Sequence, residues 1–188
     1  MFSAFPISIG ATTAAILVLL FVLLAVAAWH DVRSYRIPNV IVFSGAAIAL
    51  AIHALAPAGI GLPAALCGLL VGLVALLPLY PLGAVGAGDV KLMAMTGAFL
   101  GPLDAAGVVM STAIVGAVLA VAFALRARAV KRLAGNLRLI GYSLAARLNA
   151  VEGPSFDPQK DSAAKTPYAL AIAAGTWLWL ALRYSAAG

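Results

Sequence analysis

The chain has 188 residues, 64% of them hydrophobic and only 10% charged, with a formal net charge of +6. A mean hydropathy of +1.09 excludes an ordinary soluble domain. In a chain this apolar the surplus of Lys and Arg reads as a marker of membrane orientation, not as a nucleic-acid surface.

Runs approaching 20 apolar residues recur, each long enough to cross a hydrocarbon core of ~30 Å as a helix. The sequence predicts an all-α, polytopic membrane bundle of about six helices, forming one domain over 1–188. The first segment spans about 7–29. Ala25-Val26-Ala27 has the small-x-small pattern of a signal cleavage site. However, no basic residue precedes the run, and Ile7–Ala28 is 22 residues, longer than a signal core, so it is expected to stay as a membrane helix. The polar stretch HDVRSYR follows. The second segment is about 38–56, with Pro38 in its first turn, where a missing N–H costs little. Ala56-Pro57-Ala58-Gly59 makes a turn into the third, about 60–80. Next comes GAVGAGDVKL, with Gly83, Gly86 and Gly88 ahead of Asp89 and Lys91. The fourth segment, about 89–101, is short and ends at Gly101-Pro102. The fifth is about 104–125, and the sixth about 168–184.

Between the last two lies a polar region, 126–167. Val130, Leu133, Leu137, Ile140, Leu144, Leu148 and Val151 step by three or four, which makes one apolar helical face. Arg128, Lys131, Arg132, Arg138 and Arg147 fall mostly off it. This is the pattern of a basic amphipathic helix attracted to the anionic inner leaflet, ended by Gly153-Pro154. Guidance of a substrate or contact with a protein partner is a sharper expectation for the same region.

Charge fixes the expected topology. With HDVRSYR in the cytoplasm, the helix count returns the Gly83–Asp89 stretch and 126–167 to that side. Arg33, Arg36, Lys91 and the eight basic residues from Arg126 to Lys165 then lie inside, 11 of the 12 in the chain. Arg183 alone falls outside. The same count places Asp31 and Asp89 at equal depth on the cytoplasmic face. The remaining acids lie in the polar region or, for Asp104, in the outer turn, where it can cap the fifth helix.

Carboxylates at the edge of the hydrocarbon are costly and usually mark function. The plain structural alternative is that Asp31 pairs with Arg33 or Arg36, and that Asp89 caps its helix beside a turn residue, Gly88. Against that, the glycines leave the backbone beside Asp89 open to a substrate strand. Two carboxylates close together also share a proton, which suits one as general base and the other as general acid in hydrolysis.

Gly86-Ala87-Gly88-Asp89 resembles the GxGD signature of intramembrane aspartyl peptidases, and the continuation Val90-Lys91-Leu92 resembles the type IV prepilin peptidase family. Asp31-Val32-Arg33-Ser34-Tyr35-Arg36-Ile37-Pro38-Asn39 resembles that family's block around its first catalytic aspartate. Residues Pro167 to Gly175 resemble the opening of its last helix. The resemblance implies that Asp31 and Asp89 are the catalytic pair, with Gly86, Gly88, Lys91, Arg36, Pro38 and Asn39 supporting the site or the substrate. It implies cleavage of prepilin or pseudopilin leaders at the cytoplasmic side of the bacterial inner membrane, with pilus assembly machinery as a further partner. Larger members carry a cysteine-rich insert early in the chain and also methylate the new N-terminus. Here only a few residues part Asp31 from the second helix, and the insert's cysteines are missing. The chain resembles the short, peptidase-only form of tight-adherence (Flp-type) pili.

The other polar residues read as supporting ones. Lys91 is expected to tune the carboxylate, bind lipid phosphate or snorkel. Asn39 hydrogen-bonds near the site or caps a turn. His30 reads as structural, and His53 as remote. No metal or cofactor is expected: His and Cys lack ligand spacing, and Cys67 is alone in an apolar run. A proton-coupled transporter and a non-catalytic assembly factor are the readings from other classes. The first would favour midplane acids and an inverted repeat, and the sequence has neither.

Overall fold

The computed structural model describes residues 11–56, 59–81, 84–126, 135 and 168–185. The amphipathic stretch expected within 126–167 lies outside the described residues, apart from Arg126 and Gly135. The elements are α1 (Ala11–Ser34), α2 (Asn39–Leu55), α3 (Leu62–Leu76) continued by one 3-10 turn (Leu77–Leu79), α4 (Ala87–Leu100), α5 (Pro102–Arg126) and α6 (Tyr168–Ser185). Each sequence segment finds its helix. Among the described residues there is no strand, and the chain is a helical membrane bundle.

The boundaries follow local chemistry. Pro38 stands just outside α2 as its N-cap, with φ −62° and ψ 127°, so the second helix starts one residue later than the sequence suggests. Gly61 takes a positive φ of 86° at the N-cap of α3, with Pro63 in the first turn. Gly101, φ 83°, turns the chain sharply from α4 into α5. Both are conformations that glycine adopts without strain.

The helices form a ring around a centre. α1, α2, α3, α5 and α6 touch in that cyclic order, and α4 touches all five. Such a helix must be apolar on every side. From Val90 to Phe99, α4 is buried at all but Lys91, and its one hydroxyl, Thr96, donates to the Leu92 carbonyl at 2.9 Å. At 14 residues α4 rises only about 21 Å, less than a hydrocarbon core. The ring shields it from lipid. Thr13–Ser34, Leu62–Leu79 and Pro102–Ala122 are long and apolar enough to cross a membrane. They turn large apolar side chains outward, among them Val18, Leu70 and Ile114. Helices that expose Val and Leu while burying Thr and Asp have lipid as their solvent.

Close approach to the centre depends on small residues. A methyl group on Gly68 would run into the Gly97 carbonyl, and one on Gly97 into that of Gly68. One on Gly72 would meet the Met93 carbonyl. Gly68 and Gly72 are four apart on α3, the small-xxx-small spacing that lets membrane helices meet backbone to backbone.

Candidate active site

The α1–α2 turn, the start of α4 and the start of α6 meet at one end of the bundle. Asp31 lies in the last turn of α1, and Asp89 is the third residue of α4. Both are buried, 7% and 8% exposed, and the two carboxylates lie within electrostatic reach of each other. Each is held by a single described backbone amide. Ala169 donates to Asp31 Oδ2 at 3.1 Å, and Gly86 donates to Asp89 Oδ2 at 2.9 Å.

The Asp89 bond is the carboxylate half of a capping box: Gly86 is the N-cap, and the acid three residues on reaches back to its amide. Because α4 begins at Ala87, the sequence reading of Asp89 as the cap and Gly88 as a turn residue shifts. Gly86 is the cap and Gly88 lies inside the helix. Neither glycine has a positive φ. Their use is space. A Cβ on Gly86 would stand 3.2 Å from Asp89 Oδ2, and one on Gly88 would stand 3.2 Å from Ile37 Cβ. Gly88 therefore faces Ile37 and not open space, while Gly86 and Ala87 remain exposed beside Asp89. Gly83 lies outside the described residues.

The turn that carries Ile37 is set by Tyr35, which has φ 51° and donates its amide to the Asp31 carbonyl at 2.8 Å. This is a left-handed helix cap made without glycine, a conformation that costs L-residues roughly 1–2 kcal/mol. It reverses the chain so that Ile37, Pro38 and Asn39 come back against α4. Lys91 Nζ then donates to Asn39 Oδ1 at 3.1 Å and lies 5.3 Å from the centre of the Phe43 ring. Asn39, Pro38, Gly86, Gly88 and Lys91 are thus gathered with the two acids. Arg36 is exposed on the same turn, and its carbonyl accepts from Ser34 Oγ at 3.4 Å. Arg33 stacks on Trp29 at 4.3 Å. Neither arginine forms an ion pair with Asp31 among the described residues, so the plain structural reading of that acid loses its partner. His30 bonds its own helix at the Val26 carbonyl.

The sequence reading gave Ala169 no role of its own. A backbone donor leaves no side-chain signature, so only the resemblance of the block from Pro167 pointed there. Tyr168, next to it, is within electrostatic reach of Asp89. Among the described residues no cluster of His, Cys, Asp and Glu could hold a metal ion.

At the opposite end, Asp104 accepts from Trp179 Nε1 at 3.0 Å and pairs with Arg183, tying α5 to α6. His53, remote as expected, is buried and bonds the Phe99 carbonyl at 3.0 Å, with the Ile60 amide donating to its other ring nitrogen at 3.4 Å. That is a structural tie between α2 and α4.

The model of the type IV leader peptidase family matches residues 18–121, more than half of the chain and a span that contains both acids. The chain belongs to the type IV leader peptidase family. Membership makes it a membrane peptidase of prepilin leaders in general terms. No curated relative and no solved structure matches it. The match to the family stops before α6.

Proposed function

We propose that this chain is an aspartyl endopeptidase that removes the leader of Flp-type prepilins at the cytoplasmic face of the bacterial inner membrane, using Asp31 and Asp89. The observation that carries this reading is the meeting of two buried carboxylates, brought from α1 and α4 to one end of the bundle and each steadied by one amide. In each carboxylate Oδ2 is the oxygen held by the backbone. The Oδ1 atoms are left to hold water and the shared proton.

The chemistry then needs nothing beyond the pair. The ionised carboxylate takes a proton from water as its oxygen attacks the scissile carbonyl carbon. The protonated carboxyl gives its proton to the carbonyl oxygen. Collapse of the tetrahedral intermediate breaks the C–N bond, and a proton passes to the departing amine. The leader leaves with a carboxylate terminus, the pilin with a free amine, and the pair again shares one proton. The exposed backbone at Gly86 and Ala87 offers an edge along which an extended leader can lie. Lys91 with Asn39, and Arg36 on the rim, would position the leader or anchor the site to anionic lipid. The short α1–α2 turn supports the peptidase-only form, without methyl transfer.

The test is leader cleavage by the purified chain in liposomes. Wild type should process a prepilin with an intact leader. Asp31→Asn and Asp89→Asn should each lose about 10²–10⁴-fold in rate while staying folded, the range expected for a general acid or base. An Asn variant that cuts at the wild-type rate sinks the paired-carboxylate mechanism and returns the transporter and assembly-factor readings.

A further inference from the structure

We propose that the backbone amide of Ala169, in the first turn of α6, is a positioning group of the catalytic centre, so that the last helix is a working part of the site. The inference rests on the peptidase reading above.

It starts from an asymmetry between the two acids. Asp89 stands in the first turn of its own helix, where the partial positive charge of free amides favours a carboxylate, and the N-cap amide of that helix holds it. Asp31 stands near the C-terminal end of α1, where the carbonyl ends of the helix oppose a negative charge. Its own helix cannot hold it. The compensating donor comes from 138 residues away, the Ala169 amide at 3.1 Å in a buried bond. An amide in the first turn has no carbonyl partner within its helix, so it is free to donate outward. Ala169 is fully buried, which leaves no room for water to replace that donor.

The position of the amide is fixed by α5. A Cβ on Gly175 would stand 2.6 Å from Thr112 Cα, so α6 and α5 meet there backbone to backbone. Gly116 leaves space for the Tyr168 ring, which a Cβ would approach to 3.2 Å. Asp104 grips Trp179 and Arg183 at the far end. Three contacts along one helix set its height, and so set where the Ala169 N–H points. The donor orients Asp31 and keeps its second oxygen turned toward Asp89.

The test uses the full chain in liposomes with a prepilin substrate. Ala169→Gly keeps the N–H. Ala169→Pro removes it at a first-turn position that tolerates proline. Lactic acid incorporated at position 169 replaces only the N–H by an ester oxygen and keeps the methyl. The ester and proline variants should lose about ten- to a hundredfold in kcat, the scale of one hydrogen bond to a charged group, with KM little changed. The glycine variant should stay within about threefold of wild type, since the donor remains. Where the proline variant fails to fold, the ester variant decides. An ester variant with wild-type kcat overturns the inference and leaves the peptidase reading standing. So does a loss confined to KM, or a glycine variant as impaired as the ester. An inactive wild type overturns the peptidase reading and this inference with it.

Discussion

At the scale of single residues, the glycines before Asp89 act through what they leave out. Gly88 has an ordinary helical setting, and its bare Cα receives Ile37 from the α1–α2 turn. The contact joins the two sequence blocks that carry the acids. An added methyl would stand 3.2 Å from Ile37 Cβ, a few tenths of an ångström too close. Helix propensity favours alanine over glycine by up to about 1 kcal/mol, so Gly88→Ala should be nearly neutral in stability. Gly88→Val adds bulk with no such gain. It should cost about 1–3 kcal/mol and push the turn away from α4. Thermal unfolding in detergent, read together with leader cleavage, checks this. Ile37→Ala should restore part of both in the Gly88→Val background, because residues in contact do not add independently. Equal loss with or without Ile37→Ala would mean that Gly88 serves something else.

Individual elements show how much of the fold was legible. Six apolar runs gave six helices, since hydropathy reports membrane helices directly, and Gly101-Pro102 marked the end of α4. The pair of acids was legible because costly residues at the membrane edge are few. The arrangement of the helices was not. Nothing in the local pattern says that α4 is the hub, because a lipid-facing helix and a protein-enclosed one are equally apolar. The missed signal was Gly68 and Gly72, whose spacing marks the face of α3 that meets α4. It makes a graded prediction. On Gly45, a methyl group would meet the Met95 side chain, whose flexible end can swing away. On Gly68 it would meet the Gly97 backbone, which cannot move without parting two helices. Gly68→Ala should therefore destabilise by about 1–3 kcal/mol or more, and Gly45→Ala by clearly less, when unfolding is titrated in mixed micelles. The reverse order would mean that α3 and α4 are not in backbone contact.

For the whole molecule, orientation decides whether the site faces its substrate. The α1–α2 turn, the start of α4 and the start of α6 share one end, and with them come Arg33, Arg36 and Lys91. At the other end the described basic side chain is Arg183, and Asp104 pairs with it. The count of basic residues, on which the positive-inside rule rests, favours the acid-bearing end in the cytoplasm. Impermeant maleimide labelling of single cysteines checks it, after Cys67 is replaced by serine. A cysteine at Ala84, exposed just before the Gly86–Asp89 stretch, should label in inside-out vesicles and resist in intact cells. One at Leu103, 82% exposed in the first turn of α5, should do the opposite. If both label from the same side, α4 does not join opposite faces of the membrane. If they label with the pattern reversed, the two carboxylates face outward, and a cytoplasmic leader could not reach them.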